Sequence, residues 1–283
     1  MKDKLDKLIK SSVQIASLPK IFEKVNAAIE DPESTFSDMA KIISRDASLT
    51  ARLLKLANSA FFGLPFKVET ITHAITIIGM AQLRDLVLAT TIVSQFKGLS
   101  GKIDMKSFWH HSIAVGLAAR IIAIYRRESN AERYYVLGML HDLGHLVIYL
   151  NIPNDADIVR ARCQLDKTLL HLSEREVLAF DHADVGGALL KAWGLSSRME
   201  DAVSYHHNPT SQENRHLMEA SIIHVADFIV HGLELGNSGE KLVPPLDAKA
   251  WEALQLPTNL LASIVNQINQ QFPEAISIFP SEK

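Results

Sequence analysis

Apolar residues recur every three or four positions along nearly the whole of this chain, and nowhere does an apolar–polar alternation run long enough to build a useful strand. Ile21, Val25, Ala28 and Ile29 share one face, as do Leu49, Leu53, Leu56 and Ala60. Ile71, Ala74, Ile75 and Ile78 form another stripe, followed by Leu83, Leu86, Val87 and Val93. A period near 3.6 with no competing period of two leaves one fold class, all-α. The punctuation agrees. Asp31-Pro32-Glu33-Ser34 breaks the first stripe, Asp46 and Ser48 stand where the next helix needs a cap, and Gly63 with Pro65 stops it.

Residues 1–97 therefore read as an N-terminal helical part, and Gly98-Leu99-Ser100-Gly101 as a linker. Residues 102–235 form a second helical block that carries most of the twelve histidines. The polar stretch Leu235-Gly236-Asn237-Ser238-Gly239 closes it, and 240–283 is a tail with one further helix, roughly Leu260 to Phe272. With 47% hydrophobic and 22% charged residues, 283 residues suffice for a real core, in one large domain or two smaller ones.

Charge and cysteine content narrow the function classes. The formal charge is −3 and the basic residues are scattered, so no electrostatic footprint for nucleic acid is present, and a helix-turn-helix at residues 38–60 lacks its basic face. A single cysteine, Cys163, forbids an intramolecular disulfide and suits a reducing compartment. The first eight residues alternate charge with leucine, and the apolar run Leu146 to Leu150 is far short of a membrane span. The expected address is the cytoplasm, with no membrane or nucleic-acid partner.

The string Leu140-His141-Asp142-Leu143-Gly144-His145 carries the chemistry. Adjacent His and Asp on one helix offer a nitrogen ligand and a carboxylate able to bridge two cations. A His-Asp dipeptide alone is a weak signal, but four further segments each present a ligand from an apolar face. His111 shares a face with Val115, Ala118 and Ile122, and His182 shares one with Val185, Gly186 and Leu189. His206 follows Val203 and Ala202 by three and four residues, and Asp227 lies among Ala220, Ile223 and Val230. A buried carboxylate needs a partner such as a cation. The layout is that of an enclosed metal site in a helical bundle. His141 and His145, four apart, offer a smaller single-metal alternative. His110, His207, His224 and His231 read as second-sphere or surface residues, and His73 and His171 show no partner in the sequence. Asn58 and Ser59 read as structural, capping their helix, and Arg52 and Lys55 as a solvated face.

The order His, His-Asp, His, His-His, Asp resembles the ligand series of HD-superfamily phosphohydrolases, and particularly the HD-GYP phosphodiesterases. Trp109-His110-His111-Ser112, Leu140-His141-Asp142-Leu143-Gly144, His182-Ala183-Asp184-Val185-Gly186, Ser204-Tyr205-His206-His207-Asn208-Pro209 and His224-Val225-Ala226-Asp227 carry the likeness. In the N-terminal half, Ser44 to Ala60 with its Asn58-Ser59, and Thr72 to Met80, resemble the signature of the HDOD (HD-related output domain) family. The resemblance covers roughly residues 12–235 and implies an HD-superfamily helical bundle with an N-terminal helical subdomain. It also implies that His111, His141, Asp142 and Asp227 hold one divalent metal, Asp142 bridging, and that His182 and His206 hold a second. One or two ions fit, and iron, manganese, zinc, nickel and magnesium are not distinguished. Two departures matter. Asn208-Pro209-Thr210 stands where HD-GYP proteins continue Gly-Tyr-Pro, which removes the reason to expect cyclic di-GMP. His145 stands where those enzymes place a phosphate-facing lysine.

Two functions follow from the resemblance. One is a bacterial signalling or regulatory module that docks an unidentified signalling protein. The other is a metal-dependent phosphohydrolase acting on a nucleotide or other phosphate-ester ligand, with Asp142 and His145 catalytic and Arg84 a candidate phosphate contact. The first is preferred, because likeness of fold and motif does not establish turnover.

Overall fold

The computed structural model describes residues 2–11, 17–96 and 103–279. Among them are α-helices, one short 3-10 turn and no strand, so the all-α expectation holds. The expected linker at 98–101 lies outside the described residues. In chain order the helices are α1 (Lys2–Ser11), α2 (Lys20–Glu30), α3 (Phe36–Ser44), α4 (Ala47–Ala57), α5 (Ile71–Ile78) and α6 (Met80–Gln95). There follow α7 (Met105–Tyr125), α8 (Ala131–Leu140), α9 (Leu143–Asn151), α10 (Pro153–Asp166) and α11 (Leu170–Leu178). The last are α12 (His182–Ala192), α13 (Ser197–Ser204), α14 (Leu217–Gly232), α15 (Ala248–Leu254) and α16 (Leu261–Ile278).

The chain forms two compact units. One comprises residues 18–99 and 266–283, the other residues 1–17 and 100–265. Their limits differ from the blocks anticipated at 1–97, 102–235 and 240–283, because α1 packs on α12 and α15 packs on α14.

In the 18–99 unit the polar caps set the helix starts. Thr35 and Asp38 make a reciprocal capping box for α3, Asp46 accepts from the Leu49 amide at 2.9 Å, and Thr70 accepts from the His73 amide at 3.1 Å. Gly79, at φ 95, ends α5 and lets α6 depart at 118°. Asn58 is a structural clamp, as anticipated. Its side chain donates to the carbonyls of Leu54 and Val68 and accepts from the Val68 amide, each at 2.7 Å. Arg84 ion-pairs with Asp85 at 2.8 Å and reaches Asn26, so its guanidinium is engaged within its own unit rather than held ready for a phosphate.

The other unit is built around α7, whose residues from Phe108 to Ala123 are buried except His110. This helix is long and apolar enough to cross a membrane, which the sequence reading did not anticipate. However, 83% of it is buried inside the protein, and it carries His111 and Arg120. Helices α8 and α14 pack on α7, while α12 packs on α9 and α13. Gly116 and Gly138 bring α7 and α8 together backbone to backbone. A methyl on Gly138 would stand 2.6 Å from the Gly116 Cα.

Candidate metal centre

The six candidate ligands come together in this unit. Asp181 caps α12 in a reciprocal box with Asp184, which fixes the first turn of the helix and puts His182 at its head. His111 projects from the middle of α7 and Asp227 from α14, both from faces buried in the core. His206 follows the end of α13. One local expectation is corrected. His141 and Asp142 do not lie within one helix: α8 ends at Leu140, and the pair forms the turn before α9. The break separates their directions, so His141 faces His111 and Asp227, while His145 stacks on His182 with ring centroids 3.6 Å apart. The single-metal alternative based on His141 with His145 has no geometric support.

The side chains fall into two overlapping groups. His111 Nε2 lies 3.2 Å from Asp227 Oδ1 and 3.6 Å from Asp142 Oδ2, and His141 Nε2 lies 3.2 Å from Asp142 Oδ2 and 3.6 Å from Asp227 Oδ1. The other oxygen of Asp142 faces His182 Nε2 at 3.2 Å and His206 Nε2 at 3.8 Å. Ligands about 2.1 Å from a tetrahedral cation stand roughly 3.4 Å from each other, and these separations fall around that value. All six residues are buried. The Nε2 atoms of His111, His141 and His206 make no hydrogen bond. Such orphaned atoms are costly unless something satisfies them. A cation at each group would do so, and the donor set fits one.

Outer contacts fix the tautomers. His141 Nδ1 meets the Gly138 carbonyl at 2.6 Å and His206 Nδ1 the Val203 carbonyl at 2.7 Å, so each ring, once its Nε2 gives up its proton to a cation, turns that lone pair inward. Burial opposes charge on His141, yet the adjacent Asp142 and Asp227 outweigh it and hold the imidazole at about 10. His206 goes the other way: burial, then His141 and His182, push it down to about 3. Burial works against the ionised Asp142 as well, but His141 and His182 keep it well below the ordinary carboxylate range.

Three residues enlarge the site beyond the sequence reading. Glu174 on α11, 2% exposed, contacts both His182 and His145 through their Nδ1 atoms. The signal that could have revealed it was its place between Leu170 and Leu178, a carboxylate on an apolar stripe. His207 Nε2 lies 2.8 Å from His182 Nε2, so this second-sphere candidate touches the site directly. His171, without a partner in the sequence, stacks on His207 at 4.1 Å. Of the remaining histidines, His224 bridges the His206 carbonyl and the Asp247 amide, and His231 approaches Asp227 Oδ1 at 2.9 Å. Each thus touches a candidate ligand residue.

A cavity of about 630 Å³ opens onto His171 and His207. Five carboxylates line it against two cationic side chains, Arg175 and Lys191. Arg175 is paired with Asp181 at 2.7 Å, and Lys191 with Glu200 at 3.7 Å.

Comparison with known proteins matches residues 15–209 to the HDOD domain, 195 of the 283 residues. A curated relative, an uncharacterized protein of Treponema pallidum (strain Nichols), is 28% identical over 197 residues, which cover 69% of this chain and 38% of that protein. The chain thus spans well under half of that relative's length. Among solved structures, an HDOD domain protein of unknown function from Geobacter sulfurreducens aligns with a TM-score of 0.78 and 22% identity, over 96% of this chain and 100% of that one. A Marinobacter aquaeolei VT8 protein, provisionally described as a signal transduction protein, aligns at TM-score 0.70 and 18% identity, over 98% and 64% of the two chains. A Shewanella amazonensis SB2B protein, provisionally described as a phosphohydrolase, aligns at 0.66 and 24%, over 96% and 93%. At these identities the structures share the fold. Together with the match across more than two thirds of its length, they establish that the chain belongs to the HDOD domain family.

Proposed function

We propose that this chain is the output module of a bacterial signalling protein, acting in the cytoplasm through a protein partner, and that its histidine-rich unit holds two divalent cations. The observation that carries the reading is the closed ligand set. Each of the six side chains is at most 6% exposed, which suits a resident, structural pair of ions better than one exchanging substrate. The acid-lined cavity beside it, with both its cations already paired, is a poor receptor for a phosphate ester. Four imidazoles against two carboxylates favour a transition metal over magnesium.

A second reading, a metal-dependent phosphohydrolase, is favoured by the opening of that cavity onto His207, one residue from a ligand. Bound cations would supply an activated water. Asp142, with one oxygen toward each group, would orient it. One experiment separates the readings: elemental mass spectrometry on protein purified without an affinity tag, with hydrolysis of bis(p-nitrophenyl) phosphate measured in added manganese. The expected result is about two equivalents of metal with no turnover. Manganese-dependent hydrolysis that disappears in Asp142→Asn would overturn the regulatory assignment in favour of the second. Protein that stays metal-free after supplementation would refute the cation centre itself.

A further inference from the structure

We propose that His145 is a ligand of the second cation, and that Glu174 is the positioning residue that aims it; this rests on the two-cation reading above. The resemblance to HD-GYP enzymes assigned position 145 to a phosphate contact, and the geometry points elsewhere. His145 is 2% exposed, and the cavity wall is formed by His171 and His207 instead. Its ring lies against that of His182, centroids 3.6 Å apart and planes inclined by 22°.

A single carboxylate holds this stack. Glu174 Oε1 lies 3.1 Å from His145 Nδ1, and Glu174 Oε2 lies 2.6 Å from His182 Nδ1. Oε2 also accepts from the His182 backbone amide at 2.9 Å, which ties the carboxylate to the head of α12. Glu174 Oε2 bonds His182 Nδ1 while Oε1 stands at ion-pair distance from His145 Nδ1, an arrangement that turns both Nε2 atoms to the same side. Both face one atom, Asp142 Oδ1, at 3.2 Å from His182 and 4.0 Å from His145. Ligand atoms from Asp142, His145 and His182 all lie within 4.8 Å of one another, a grouping that could hold one ion. A carboxylate–imidazole pair normally orients one metal ligand. Here one carboxylate orients two.

The test uses the full chain stripped of metal and titrated with cobalt(II), read by its visible absorption and by bound cobalt per chain. The parent is expected to take up two equivalents. His111→Ala removes the equivalent held with Asp227 and serves as a reference. His145→Phe keeps an aromatic ring on His182 but removes both nitrogens. Glu174→Gln keeps the shape but replaces one acceptor oxygen by a donor. Both are expected to weaken the other equivalent by about tenfold or more and to alter its absorption band. The His111-side equivalent stays unchanged and reports that the fold is intact. A purely structural ion pair would leave the cobalt spectrum of both equivalents as in the parent. Two unchanged equivalents in both variants would overturn this inference while leaving the two-cation reading standing. A parent that binds fewer than two would overturn both.

Discussion

Gly138→Ala tests how the fold holds the centre without touching a ligand. The added methyl would lie 2.6 Å from both the Cα and the N of Gly116 and 2.7 Å from the Val115 carbonyl carbon, all backbone atoms of α7. Non-bonded carbons settle at about 3.5–4.0 Å, so α8 must withdraw from α7 by roughly 1 Å. Overpacking of this kind costs about 1–3 kcal/mol, and the upper half of that range applies because neither side of the contact is a flexible side chain. The displacement also has a functional signature. Gly138 supplies the carbonyl that holds His141 Nδ1, and α7 carries His111. A shift of roughly 1 Å is well outside the band of about 0.2 Å in which metal–ligand distances fall, so the pair of imidazoles would hold one ion less tightly. Urea denaturation should show a midpoint lowered by the equivalent of about 2–3 kcal/mol, and a cobalt titration should show weaker binding on the His111 side. Gly232→Ala is the control, since a methyl at the end of α14 meets nothing within 4 Å. There the helical preference of alanine should leave stability level or raised by up to about 1 kcal/mol. A Gly138→Ala protein as stable as Gly232→Ala, with parental metal affinity, would refute the argument that backbone contact between α7 and α8 sets the ligand geometry.

Three other outcomes follow from the same structure. Removing metal with a chelator should lower the melting temperature. At a hundredfold excess over the dissociation constant a bound ion contributes about 2.7 kcal/mol, roughly 5–10 °C for a unit of this size, and a chelator-insensitive midpoint would count against occupancy. Asn58→Ala removes three hydrogen bonds and should destabilise the 18–99 unit by roughly 1–3 kcal/mol, with faster hydrogen exchange at the Val68 amide as the specific readout. Asp201 is pushed up by burial but pulled further down by Arg215 and His216, so its folded value lies below the ordinary 3.8. A depressed carboxylate stabilises the fold above the unfolded value and loses that contribution as pH falls through the folded one. Asp201→Asn should therefore narrow its stability gap to the parent as pH drops below about 4, and a gap independent of pH would show that the ion pair contributes nothing.

The sequence reading reached the ligands through burial. His111, His182 and Asp227 were visible because each interrupts an apolar helical stripe, and a polar group there must be satisfied from across the core. The same logic applies to Leu170, Glu174 and Leu178, where Ser173 and Arg175 beside Glu174 dilute the apolar stripe. Contacts such as His207 with His182, or His171 on His207, join segments 25 and 36 residues apart and have no local trace. The helix break at His141-Asp142 was hidden for a related reason. Leu140, Leu143, Leu146 and Val147 keep a helical period through it, and no Pro or Gly marks the turn itself. The turn is specified by tertiary contacts, with His141 bonded back to Gly138 and Asp142 drawn between two groups of imidazoles.

The wide spacing of the inward-facing ligands bears on the order in which this protein assembles. From His111 to Asp227 they span 116 positions, on helices that must all be in place before the orphaned nitrogens converge. Closing such loops early is entropically unfavourable, and the cost rises with the logarithm of their length. The centre is therefore expected to form last, after α7, α8 and α14 have docked, with its contacts made beyond the transition state. Interactions formed that late leave the folding rate nearly untouched and act on escape from the native state. Loading the centre should thus work as a latch on unfolding: a chain that folds at its own pace, then becomes slow to come apart.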